Sequence, residues 1–186
     1  MHLRHDAGYV AAKIAVTARE LADRMGGRQV STVGRINLHP DLVNVVAGQA
    51  TLTVDLRNTD EALLKSAEAE IAACVEQLEQ SEGVTITSRT LARFEPVVFD
   101  PQVVATVETT AQRLGHSATT MPSGAGHDAQ MMARVCPTGM VFVPSKDGIS
   151  HNPAEHTDQQ DLAAGADVLL QTMLALDATD FNGDTA

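Results

Sequence analysis

The chain has 186 residues, room for one large domain or two small ones, and 44% of them are hydrophobic, as in a folded protein. With 13 basic against 24 acidic residues its formal charge is −11, which argues against nucleic acid and anionic membrane surfaces as partners. No apolar run reaches the roughly 20 residues that span a bilayer and no basic-then-apolar leader opens the chain, so a soluble, cytoplasmic protein is expected.

Residues 5–25 read as an amphipathic helix, because Val10, Ala11, Ile14, Ala18, Leu21 and Ala22 keep a 3-4 spacing and Gly26-Gly27 stops it. Two strands follow, over 30–38 and 50–57. In the second, Leu52, Val54 and Leu56 alternate with Thr51, Thr53, Asp55 and Arg57, which predicts one apolar and one polar face. A helix over about 60–80 carries Leu64, Ala67, Ile71, Cys74, Val75 and Leu78 on one stripe. Cys74 is therefore expected as a buried free thiol rather than half of a disulfide with Cys136. Gly83 leads into an alternating stretch, Val84 and Ile86 to about Leu91, that reads as a strand. The order α-β-β-α-β is a ferredoxin-like unit lacking its first strand.

After Phe99-Asp100-Pro101 a helix is expected as far as Gly115, then a short strand to Met121, a Pro-Gly turn, and a short helix from His127 to about Val135. Residues 139–143 read as an apolar strand and 144–157 as a long polar loop. A last helix through Leu162, Leu169, Leu170 and Met173 follows, with Thr157 and Gln160 at capping-box spacing. Strands alternating with helices predict a piece of an α/β sheet, so the fold class is α/β with an α+β first half. Beyond about residue 177 the chain reads as a disordered tail.

Three places could carry chemistry. Gly124, Gly126 and Ala129 fit a dinucleotide fingerprint, but no complete βαβ unit surrounds them. Ser123 is not in a G-x-S-x-G elbow. A backbone approach to a small anion, or a plain turn with Asp128 at the helix dipole, stays open there. His151, Glu155 and His156 share a loop after an apolar strand, where α/β sheets place ligands, yet one such group falls short of the three or four donors a zinc site needs. Asn44 and Arg57 combine an amide with a planar fork suited to a carboxylate, against the alternative of a turn residue and a surface ion pair.

In this order, Arg4-His5-Asp6-Ala7-Gly8, Val43-Asn44-Val45-Val46, Asp55-Leu56-Arg57, Ser123-Gly124-Ala125-Gly126-His127-Asp128-Ala129 and Gly148-Ile149-Ser150-His151-Asn152-Pro153-Ala154-Glu155 resemble the N-carbamoyl-L-amino acid hydrolase, β-ureidopropionase and allantoate amidohydrolase family. The resemblance implies a lid and dimerisation domain over 1–95, the end of an α/β metallohydrolase catalytic domain over 96–178, and a tail over 179–186. It implies Asn44 and Arg57 as holders of the substrate carboxylate, Gly126 and His127 as lining of the substrate pocket, and His151 as the last metal-ligand histidine. Nothing matches the family's N-terminal segment, which carries the other metal ligands and the catalytic glutamate. No catalytic residue is therefore assigned here, and the chain resembles the C-terminal half of an enzyme.

The complete family enzyme uses divalent metal, Zn or Mn, to activate a hydroxide that attacks the ureido carbon. This chain alone is expected to bind metal weakly or not at all, to be inactive by itself, and to pair as a homodimer through 1–95. Its substrate would be a small ureido acid. Gly48 lies between Asn44 and Arg57, which predicts that the two converge at one end of the hairpin. The rival reading is a non-catalytic α+β module that dimerises or binds a small ligand.

Overall fold

Three aspartates start three of the helices. Asp6 accepts a hydrogen bond from the Tyr9 N–H at 3.0 Å, Asp60 from Leu63 at 2.9 Å, and Asp100 from both Gln102 and Val103. Each satisfies backbone donors that the first turn leaves without a partner, and Pro101 at the following position has no N–H to satisfy. The computed structural model describes residues 1–177, and the tail expected over 179–186 lies outside them. The chain divides into two units, Met1–Pro96 and Val97–Ala186.

In the first unit, α1 (Ala7–Met25) leads to a hairpin of β1 (Val30–His39) and β2 (Gln49–Arg57), followed by α2 (Glu61–Glu82). The strands are antiparallel, with His39 opposite Gln49 and Val30 opposite Arg57. Both helices pack on the hairpin. Val10, Ile14 and Leu78 centre a core against which Leu52, Val54, Cys74, Val75, Val84 and Ile86 are packed. Buried Ala11, Ala18 and Ala67 keep the helix surfaces small, and Leu21 is fully buried. Between Thr32 and Arg35, β1 carries a bulge. Past it Ile36 and Leu38 remain about two-fifths exposed, though they sit on the apolar side of the ladder opposite Leu52 and Ala50. Cys74 is a half-buried free thiol whose Sγ lies 3.5 Å from Thr17 Oγ1, and Cys136 is free and exposed.

Two long-range ties close this unit. The His5 Nδ1–H donates to the Glu82 carbonyl at 2.8 Å, joining the start of α1 to the end of α2. Beside it Gly83 caps α2 in the left-handed region, φ 61°, where a Cβ would come within 2.9 Å of the His5 ring. Arg93 pairs with Glu61 and Glu68, each at 2.8 Å, which fastens the segment after α2 to that helix.

The strand expected over Val84 to Leu91 is not paired. Val84 and Ile86 do alternate inward onto the core, but the Ile86 N–H donates to the Glu79 carboxylate of α2 rather than to a strand. The two-stranded β1–β2 pair is the sheet found among the described residues.

The second unit consists of α3 (Pro101–Arg113), α4 (Asp128–Met132), a 3-10 turn (Lys146–Gly148) and α5 (Gln159–Asp177). Helix α3 packs on α5, burying Val103, Thr110 and Ala111 on one and Val168 and Thr172 on the other. The strands expected to Met121 and over 139–143 form no ladder. Residues 139–143 instead lie close to the helices. A Cβ on Gly139 would stand 2.8 Å from Val103 Cγ1, and one on Gly165 of α5 would stand 2.3 Å from Val143 Cγ1. A valine side chain can approach the backbone that closely only where the facing residue has no Cβ. Helix α5 begins at Gln159, one position later than a Thr157 capping box requires. The whole is a mixed helix-and-strand fold with a small antiparallel sheet, in the α/β class expected.

Candidate functional site

Arg57 closes β2 on its polar face, as the alternation requires, with its side chain about half exposed. Its guanidinium is engaged by Asp55, two residues earlier and therefore on the same side of the strand. Nε donates to Asp55 Oδ1 at 2.9 Å and Nη2 to Oδ2 at 2.7 Å, a side-on fork. These two bonds hold the Asp55 carboxyl below the usual carboxylate range, and they raise Arg57 further above its already high value.

Asn44 lies exposed in the connection 40–48, whose base is closed by the Gly48 N–H donating to the His39 carbonyl at 2.9 Å. The expectation that it converges with Arg57 fails. Arg57 is opposite Val30, at the end of the ladder away from this connection. Gln49 and Arg57 are the two ends of the nine-residue β2, eight steps apart, roughly 27 Å at about 3.4 Å per residue. The hairpin register thus puts the connection that carries Asn44 and the Arg57 fork at opposite ends of the ladder. Around Asn44, Leu42, Val43 and Val45 are exposed, Val43 completely.

In the second unit, His127 is the N-cap of α4, and its Nδ1 accepts the Ala129 N–H at 3.0 Å. An accepting Nδ1 carries no proton, so the neutral ring bears its hydrogen on Nε2. The adjacent Ser123 Oγ accepts from the Ala125 N–H at 3.2 Å. Space is open where Gly124 and Gly126 would carry a Cβ. Helix α4 has five residues and no paired strand precedes it, so the dinucleotide fingerprint lacks the context it needs.

His151 sits exposed in the loop after the 3-10 turn, with φ 56°, a left-handed conformation uncommon outside glycine. Its backbone N–H donates to Glu155 Oε2 at 2.8 Å, and the Asn152 carbonyl accepts from the Glu155 N–H at 2.9 Å. The loop base is tied by the Lys146 N–H donating to the His156 carbonyl at 2.8 Å. Among the described residues no three His, Cys, Asp or Glu side chains are grouped so as to hold a metal ion. His151 offers one imidazole, which does not amount to a metal site.

Asp55 and Glu155 are the residues whose part sequence reasoning left undefined. The signal for Asp55 was its i, i+2 relation to Arg57 on an alternating strand. Glu155 reaches the His151 backbone through a loop fold that spacing does not encode.

Residues 5–175 match the peptidase family M20/M25/M40, whose members are generally metal-dependent. The chain is 38% identical over 174 residues to an N-carbamoyl-L-amino-acid amidohydrolase of Rhizobium meliloti, covering 94% of this chain and 42% of that protein. It is 38% identical over 169 residues to an allantoate amidohydrolase of Escherichia coli, covering 91% of this chain and 41% of that one. A solved amidase of the hydantoinase/carbamoylase family from Burkholderia vietnamiensis superposes with a TM-score of 0.90 at 37% identity, over 92% of this chain and 42% of its own. The chain thus spans about two-fifths of the length of these relatives. No helix among the described residues is long and apolar enough to cross a membrane. By sequence and by fold, the chain belongs to the M20/M25/M40 peptidase family.

Proposed function

We propose that this chain is the C-terminal part of a metal-dependent amidohydrolase that cleaves a C–N bond of N-carbamoyl-L-amino acids or allantoate-like ureido acids. The observation that carries this reading is the 38% identity, across more than nine-tenths of the chain, to relatives named for those two activities. Residues 1–95 serve as lid and dimerisation domain and 96–178 as the end of the catalytic domain. Arg57 is the anchor for the substrate carboxylate, because a guanidinium on an exposed strand face meets a carboxylate through two parallel N–H donors. His127, with Nδ1 committed to the α4 backbone, keeps Nε2–H as the donor it can offer a ureido oxygen beside Gly126. His151 contributes one imidazole toward the divalent ion, whose chemistry is to activate water.

Asn44 joins this site through a second copy of the chain. A two-fold axis across the hairpin brings the 40–48 end of one copy to the Arg57 end of the other, whereas within one copy the two ends are separated by the length of β2. The exposed Leu42, Val43 and Val45 supply the apolar contact that such a pairing buries.

The test is turnover. The 186-residue chain alone, and the chain joined to the N-terminal part of the Rhizobium meliloti relative, are assayed for ammonia release from N-carbamoyl-L-amino acids and allantoate with Zn or Mn present. Activity is expected from the joined protein and none from the chain alone. A folded joined protein that cleaves dipeptides and neither ureide would overturn the reading.

A further inference from the structure

We infer that the first unit holds a strand-wide slot between β2 and residues 84–91, which takes up an extended segment with apolar side chains at alternate positions. The source of that segment, the stretch that leads into α1 in a longer enzyme, rests on the reading of this chain as a C-terminal part.

The element order sets the place. In a split βαβ unit two parallel strands flank a third that runs the other way between them. Strand β2, helix α2 and residues 84–91 supply the outer members of such a unit, and the strand that belongs between them is the one that leads into α1. Among the described residues none stands there, because β2 pairs with β1 along one edge and has no ladder on the other. An antiparallel strand directs alternate N–H and C=O groups to its two sides, so β2 offers a free set between residues 50 and 56.

The packing agrees. Leu52 and Val54 come from β2 and Val84 and Ile86 from the other segment, and both pairs rest on the core around Ile14. All four stay only partly buried, and no ladder joins the two backbones. A further row of alternate apolar side chains completes that cover, which fixes the chemistry of the occupant.

The start of α1 marks the mouth of the slot. The Ala7 N–H donates to the Ala47 carbonyl, just before β2, at 3.1 Å. The His5 ring donates to the Glu82 carbonyl, just before 84–91, at 2.8 Å. The chain entering α1 is thus tied on one side to the start of β2 and on the other to the start of 84–91. A segment that reaches this point along the slot runs antiparallel to both. The chain matches only about two-fifths of each named relative, so they hold ample further sequence to supply it.

The probe is a synthetic peptide of roughly 20–25 residues, the stretch preceding the matched region in the Rhizobium meliloti amidohydrolase. That length covers a partner for the nine-residue β2 and a connection of up to about 12 residues. It is added to the 186-residue chain, and amide hydrogen exchange is followed by NMR. Saturating peptide should slow exchange about tenfold or more in both 50–56 and 84–88, because ladder bonds form on each side. A nitroxide at the C-terminal end of the peptide should broaden the Ala47 and Gly83 amides and leave Leu56 sharp. A peptide of the same composition with its alternation scrambled should protect neither segment. Protection confined to β1, equal protection by the scrambled peptide, or broadening at Leu56 instead overturns the proposal. Protection of both segments without peptide, growing with the concentration of the chain, assigns the slot to a second copy and overturns the proposed occupant. Should the peptide aggregate or fail to bind, the same stretch carried at the N-terminus of the chain decides, and unprotected 50–56 and 84–88 there overturn the slot. The joined protein separates this inference from the proposed function. Ureide cleavage with these amides exchanging as in the 186-residue chain overturns the slot and leaves the function standing, and slow amides without ureide cleavage do the reverse.

Discussion

The two units solve the burial problem to different degrees. The first surrounds Val10, Ile14 and Leu78 with two helices and a hairpin, and buries Leu21 completely. In the second, α5 leaves Leu162, Leu169, Leu170, Met173 and Leu174 more than half exposed among the described residues. The candidate groups divide in the same way. Arg57 and Asp55 lie on a regular ladder, whereas His127 and His151 lie on a short helix cap and a loop. A ladder fixes the backbone that carries its side chains by its own hydrogen bonds, so Arg57 and Asp55 are positioned within the first unit. The groups of the second unit depend on loops braced by single contacts, such as Glu155 to the His151 backbone.

The sharpest way to break this contrast is to truncate a side chain in each unit. Leu21→Ala removes a side chain with no exposed surface and should cost about 3–5 kcal/mol in the denaturation of the first unit. Met173→Ala, on the exposed side of α5, should stay within about 0.5 kcal/mol. A Met173→Ala cost near that of Leu21→Ala, read by urea unfolding, would show that the α5 face is covered in solution.

Next comes Arg57 in its proposed role as carboxylate anchor. In a complete enzyme carrying this chain as its C-terminal part, Arg57→Lys should lower kcat/KM by about tenfold to a hundredfold, at ~1.4 kcal/mol per decade, because lysine keeps the charge and loses the fork. The loss should shrink on substrates whose carboxylate is replaced by an amide. Equal losses on acid and amide would make Arg57 a structural residue.

A subtler contrast lies in two glycines of the second unit. Gly165→Ala places a methyl against Val143, an overpacking cost of about 1–3 kcal/mol partly offset by ~1 kcal/mol of helix propensity. Gly124→Ala meets open space and should change stability by less than about 0.5 kcal/mol. Thermal unfolding of the two variants side by side decides it. A Gly165→Ala that stabilises by about 1 kcal/mol, the full gain in helix propensity, would mean that Val143 rotates away and that residues 139–143 pack loosely.

Much of the fold was legible because it rests on local rules. The stripe from Val10 to Leu21, the alternation of Leu52 and Val54, and glycines after the helices specify elements without reference to distant neighbours. The strands over 84–91 and 139–143 were not, because alternation shows which side chains face inward and not whether a backbone neighbour exists. Ile86 finds the Glu79 carboxylate instead. Arg57 was legible as an exposed fork on a polar face. Its distance from Asn44 was not, because thirteen residues of separation in sequence contain no statement of register. Only the pairing of Val30 with Arg57 and His39 with Gln49 shows that the two stand at opposite ends.

The Asp55–Arg57 pair also has a signature in acid. The two hydrogen bonds from Arg57 hold the Asp55 carboxyl below its ordinary value, while Arg57 stays charged at every accessible pH. A carboxyl whose folded value is depressed contributes stability above its unfolded value of about 3.9, and that contribution is lost as pH falls through the lower folded value. Around this range the unfolded chain binds more protons than the folded one, so the pair's stabilisation rises with pH. Because the pair is half exposed, the amount should be below about 1 kcal/mol. Comparing urea unfolding of the unmodified chain with Asp55→Asn, the difference should be constant from about pH 7 to about pH 5 and should close towards zero below about pH 3. A difference that persists undiminished at about pH 2 would mean that Asp55 acts through shape and not through its charge on Arg57. One that has already vanished at about pH 5 would mean that its carboxyl titrates above the ordinary range, the opposite of what two donated hydrogen bonds produce.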